Sequence, residues 1–176
     1  MKKIIILIIS FISFFSCKEI DKLTQFNLDM ETMVTINAGL PVNVPFDILT
    51  PPIPTQSTQT FENNNTSKDL IEQAKLKRMK LSITAPSNGN FDFIKDLEIY
   101  ISADGLPEKK IAWEYDHQND GNNTLNLETT TVDLKDYIKK DAINIHVKTV
   151  TDEVLTQDYE IKIEYTFFID AAILGV

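Results

Sequence analysis

Residues 25–37, QFNLDMETMVTIN, alternate between two kinds of side chain. Phe26, Leu28, Met30, Thr32, Val34 and Ile36 fall on one face, and Asn27, Asp29, Glu31 and Thr35 on the other. A period of two belongs to an extended strand, and one-sided polarity means one face buried and one wet. Such a strand needs a second layer against its apolar face. Gly39 and Pro41 end it.

The same period returns along the chain. Val42 to Leu49 is a second strand candidate, limited by Pro45 to an edge or bulged position. TPPIPTQSTQ (50–59) reads as a crossing loop, and Thr60-Phe61-Glu62 as a brief pairing segment. Asn63-Asn64-Asn65 is a turn, after which Thr66 or Ser67 can cap a single helical turn over Lys68 to Gln73 with Leu70 and Ile71 inward. In residues 74–85, Met79, Leu81, Ile83 and Ala85 alternate while Leu76 is out of step, which predicts a bulge near Lys77-Arg78. Leu97, Ile99 and Ile101 mark another strand, Asp104-Gly105 a turn, and Ile111, Trp113 and Tyr115 the strand after it. Leu125 and Leu127 begin a further strand. Leu134, Tyr137 and Ile138 have helical spacing, and Ile143, Ile145 and Val147 return to strand. Residues 157–174 keep one apolar phase over a length that would reach about 60 Å, too long for one flat strand, so a bend, a bulge or a change of sheet is expected. Many short strands with turn residues between them, one or two short helices and no βαβ rhythm predict an all-β chain, a single antiparallel β-sandwich over 25–176. Jelly-roll and immunoglobulin-like topologies both fit.

The N-terminus has a different composition. Lys2 and Lys3 precede an apolar run from Ile4 to Phe15, followed by Ser16 and the one cysteine of the chain, Cys17. As a helix the run would reach only about 18 Å, short of the roughly 30 Å core of a bilayer, so it reads as a secretory signal over 1–16. Phe14-Phe15-Ser16-Cys17 resembles the lipobox of bacterial lipoproteins: Ser16 matches the small residue before the cut, and Phe15 departs from the pattern. The resemblance implies cleavage before Cys17, a diacylglycerol and palmitate anchor on its sulfur and new N-terminus, and residues 18–24 as a short tether. Lys18-Glu19-Ile20-Asp21 is similar to the Lys-plus-acidic surface-export signal of Bacteroidota lipoproteins, with Ile20 interrupting it. This implies an outer-membrane protein exposed at the cell surface. Acylation also accounts for a lone cysteine in an exported chain, and two acyl chains suffice for stable anchoring.

Without Lys2 and Lys3, 15 basic residues face 26 acidic ones, a net charge of −11. That argues against nucleic acid and anionic headgroups as partners. No Gly-x-Ser-x-Gly elbow, His-Glu-x-x-His or phosphate-cradling glycine loop is present, and no cofactor is implied. The carboxylate pairs Asp96/Glu98 and Glu160/Glu164 lie on polar strand phases, where solvated charge belongs.

Four features remain as candidates. In the loop after Asp116, oxygens from Asp116, Asn119, Asp120 and Asn122 suit Ca²⁺, although the order lacks the closing Glu of an EF-hand and a plain polar loop is simpler. Trp113 is a candidate stacking platform, but its phase with Ile111 and Tyr115 places it in the core. Lys75, Lys77, Arg78 and Lys80 read as a solvated edge strand. Phe168, Ala172 and Leu174 make the last strand apolar on its second face as well, which calls for internal cover or a partner surface. His146 points away from the core. The expectation is a non-enzymatic structural or interaction module of the cell envelope, held to the membrane by lipid on Cys17 and docking an envelope protein. The alternative is a small ligand- or glycan-binding β-sandwich, favoured if Trp113 proves exposed among polar side chains in a groove.

Overall fold

A computed structural model describes residues 25–55 and 57–172. Ten strands form two antiparallel sheets. They are β1 (Gln25–Ile36), β2 (Phe46–Leu49), β3 (Ile53–Pro54), β4 (Ile71–Ala85), β5 (Ile94–Ala103), β6 (Leu106–Glu114), β7 (Thr124–Asn126), β8 (Glu128–Thr129), β9 (Ala142–Thr151) and β10 (Tyr159–Ala171). One sheet runs β1-β10-β4-β7, and the other runs β2-β9-β5-β6-β8 with β3 also on β9. The pairings β1–β10, β2–β9, β4–β7 and β5–β6 are nested, like one long antiparallel hairpin rolled into two layers. Of the two expected topologies, this is the jelly roll.

The apolar phases meet between the sheets. Ile161, Ile163, Tyr165, Phe167 and Ile169 of β10 face Leu97, Ile99 and Ile101 of β5 and Ile143, Ile145 and Val147 of β9 across the core. β10 stays in one sheet. It absorbs its length in three register irregularities against β4, one of which leaves Lys77 unpaired at the bulge expected there. β1 begins opposite Asp170, so the chain enters and β10 ends at the same end of the sandwich.

Two helices lie together at one end of the sandwich. α1 (Ser57–Asn63) replaces the expected pairing at Thr60-Phe61-Glu62. Its Phe61 is fully buried, edge-on to Phe26 with ring centroids 5.2 Å apart. The cap expected at Thr66 or Ser67 serves another purpose. Ser67 makes no side-chain cap to the short 3-10 turn Lys68–Leu70, while the Thr66 hydroxyl donates to Ala172 O at 2.5 Å. Ile71 opens β4 instead of continuing that turn. α2 (Lys135–Ile138) carries Tyr137 and Ile138 inward as predicted, with Leu134 buried just before it. The Asp133 carboxylate ties it to β4 by accepting from Ala74 N and Lys135 N, both at 3.0 Å.

β4 pairs with β10 along its length and with β7 only over Lys80–Ser82. Of the basic run, Lys80 is flanked on both sides, while Lys75 and Arg78 pair with β10 alone. Arg78 reaches Thr166 Oγ1 at 3.4 Å, and that hydroxyl donates to Asp29 at 2.6 Å. Among the described residues no helix is long and apolar enough to cross a membrane.

Candidate functional site

At mid-strand β6 holds an extra residue against β5. Ile99 pairs with Ala112 and Tyr100 with Lys110, so Ile111 is a bulge. Ile111 and Ala112 are both fully buried, and the phase reverses after them. Trp113 therefore lies opposite Glu98 on the outer face and not in the core where the sequence phase put it. It is half-buried, and Tyr115 is 46% exposed. The bulge is the physical reason for the correction: an extra residue turns every later side chain to the other face.

Around these rings the sheet assembles a charged network. Glu98 Oε2 accepts from the Tyr100 hydroxyl at 2.7 Å, and Oε1 accepts from Lys110 Nζ at 2.9 Å and from the Tyr115 hydroxyl. Hydrogen bonds from Tyr115, Tyr100 and Lys110 hold the Glu98 carboxyl down at about 2. Bonding to Tyr115 and Glu98 raises the Lys110 ammonium above its ordinary range, and bonding to Glu98 raises the Tyr100 phenol. The Lys110 ammonium stands 5.5 Å from the ring centroids of both Trp113 and Tyr115. Trp113 Nε1 donates to Glu128 Oε2 at 2.8 Å. Across the sheet, Lys148 lies 4.3 Å over the Tyr100 ring and donates to Glu108 Oε2 at 3.3 Å. His146, outward as expected, sits between Glu108 and Asp47. Burial pushes the Glu108 carboxyl up, but bonding to His146 and Lys148 outweighs it and leaves the group below its ordinary value.

The result is a sheet face with three rings, Tyr100, Trp113 and Tyr115, beside carboxylates and ammonium groups. Such a face can stack an apolar ring plane and hydrogen-bond its hydroxyl rim. Its polar groups already hold one another in place, so little ordering entropy remains to be lost on binding.

The other candidates fall differently. Asp116 and Asp120 do not converge. Asp116 is exposed at φ 50, and its N–H donates to Asp96 Oδ1 at 3.1 Å. Asp120 instead meets Asp92 and His117, with ligand atoms within 4.8 Å of one another. Asp92 lies on a separate turn before β5, so no local spacing could have joined it to the loop. Phe168 is half-buried on the outer face of β10, between Asn27 and Lys75. Ala172 donates its N–H to Leu70 O at 3.0 Å and receives the Thr66 hydroxyl, so its backbone is covered from within. Cys17 and Leu174 lie outside the described residues. A concavity of about 660 Å³ on the other sheet is lined by Asp29, Glu31, Arg78 and Glu164 with Ile53 and Pro54 beside them. It has no exposed ring, and its one aromatic, Tyr165, is buried.

Fold and face together define a jelly-roll β-sandwich with an aromatic, charge-lined outer sheet. No protein-family model matches the chain, and no curated protein sequence matches it. Among solved structures it is similar to CpGH89CBM32-5 from Clostridium perfringens in complex with GalNAc-β-1,3-galactose, at 12% identity and a TM-score of 0.31, covering 76% of this chain and 94% of that one. It is similar also to a structure of Desmodium yellow mottle tymovirus, at 9% identity and a TM-score of 0.25, covering 86% and 91%. A third likeness, at 10% identity and a TM-score of 0.25, covers 89% of this chain and 58% of a structure described by the promiscuous specificity of carbohydrate-binding modules from the β-sandwich superfamily. These likenesses are too distant to carry an argument about what the chain binds.

Proposed function

We propose that the protein is a lipid-anchored binding module that takes a neutral carbohydrate on the outer face of its six-stranded sheet. The observation that carries this is the outward turn of Trp113 beside Tyr115, made by the bulge at Ile111. Asp47, Glu98, Glu108 and Glu128 against Lys110 and Lys148 leave the face mixed in sign and unsuited to a polyanion. Trp113 is the one tryptophan, so intrinsic fluorescence reports on this face alone. Neutral polysaccharides titrated against the full chain in detergent are expected to shift Trp113 emission saturably. Tyr115→Ala should weaken that binding about tenfold through loss of one stacking ring, a change of about 1.4 kcal/mol. A panel of neutral glycans that leaves the emission unmoved would remove the reading.

The anchor at Cys17, the outer membrane and exposure at the cell surface belong to the same proposal, supported by the lipobox-like sequence. Cys17→Ser should release the protein from the membrane fraction and abolish labelling with radioactive palmitate. The envelope-protein partner is the second reading, supported by half-exposed Phe168 on the opposite sheet. Crosslinking in detergent-solubilised membranes would have to recover a stoichiometric partner that Phe168→Lys loses.

A further inference from the structure

His117 presents an unsatisfied ring nitrogen in a buried place. Its side chain is 6% exposed, and Nε2 has no hydrogen-bond partner. The other ring nitrogen, Nδ1, lies 3.4 Å from Glu114 Oε1. Buried polar atoms without partners are rare enough to need a cause. A hydroxyl can turn to find an acceptor, but an imidazole edge is fixed by its ring. If Nδ1–H is given to Glu114, a lone pair is left on Nε2. Histidines that bind metals are held in this way, with the second nitrogen donating to a carboxylate.

The surroundings supply the remaining ligands. A ring nitrogen of His117 and one carboxylate oxygen each from Asp92 and Asp120 lie within 4.8 Å of one another. Ligands at about 2.0–2.2 Å from one ion need only a modest contraction of that triangle. The two segments are already stitched together: Gly121 N donates to Asp92 Oδ1 at 2.9 Å, Phe91 N to Asn122 O at 2.9 Å and His117 N to Lys95 O at 3.0 Å. The two carboxylates and a ring nitrogen of His117 are therefore held close together before any ion arrives.

We propose that Asp92, His117 Nε2 and Asp120 bind a divalent transition-metal ion of the Zn²⁺ class, with Glu114 as the positioning residue for His117. A nitrogen ligand favours Zn²⁺ over the all-oxygen shell that Ca²⁺ prefers. The ion clasps the turn before β5 to the loop after β6.

The test uses the full chain in detergent, stripped with chelator and titrated with zinc chloride. Calorimetry is expected to show one ion per chain. The chain has two histidines, so nitrogen-15 spectra separate them. The His117 Nε2 resonance is expected to move on titration while that of His146 stays. Asp92→Asn keeps the acceptor for Gly121 N–H and should weaken binding at least about tenfold, and Glu114→Gln about tenfold. No saturable binding up to about 1 mM zinc would overturn the site. So would unchanged affinity in Asp92→Asn, movement of His146 alone, or saturation by calcium with His117 unmoved. The spectra of the unsubstituted chain decide the matter even if a variant fails to fold.

Discussion

Glu98 concentrates the chemistry of the outer face in one side chain. It accepts three hydrogen bonds, from two phenols and an ammonium, and each favours its charged form. Its folded carboxyl titrates at about 2 against an ordinary 4.5. A carboxylate with a depressed folded pKa adds stability above the ordinary value, and the addition is lost as pH falls from there toward the folded value. Glu98 is about a quarter exposed, so solvent screening reduces the effect to about 1–3 kcal/mol. The expected outcome is that the unsubstituted chain exceeds Glu98→Gln in unfolding free energy by a constant margin at neutral pH. That margin should shrink between about pH 4.5 and pH 2 in urea titrations of both proteins. A margin independent of pH would mean that the network does not hold the charge. The polar phase of Glu98 was legible in the sequence, because it alternates with Leu97 and Ile99. Its partners were not, because Lys110 and Tyr115 reach it only across a strand pairing.

At the scale of elements, two irregular pieces decide what the regular strands leave open. α1 closes one end through Phe61, which is fully buried against Phe26. Phe61→Ala should cost about 3–5 kcal/mol, measured as a lower urea midpoint with unchanged slope. If α1 were only a surface decoration, the midpoint would hardly move. Little in STQTFEN announces a helix, because Ser, Thr, Phe and Asn are weak helix formers and the buried contact of Phe61 is with the distant Phe26. The bulge at Lys77 was legible because Leu76 and Met79 break the alternation visibly. The bulge at Ile111 was hidden because Ala112 passes for either phase, so Ile111, Trp113 and Tyr115 read as one continuous face. One small residue concealed the feature on which the proposed binding face depends.

For the whole molecule, strand count, alternation and the absence of βαβ rhythm were enough to predict an antiparallel sandwich. They could not choose between topologies, because the choice is made by pairings such as β1–β10 that join opposite ends of the chain. β10 is the partner of both β1 and β4 and so the spine of its sheet. Ending the chain after Asp158 should abolish cooperative unfolding in circular dichroism. A sharp transition in that truncated protein would show that the second sheet stands without β10.

The nested pairing also sets an order of events during synthesis. β1 is synthesised about 120 residues before its partner β10, which at roughly 5–20 residues per second is a wait of about 6–25 s. Throughout that interval a long alternating strand has no native neighbour, the condition under which strands pair with the wrong chain. Asp29 and Glu31 on its wet face are charges of the kind that disfavour pairing between copies of such a strand.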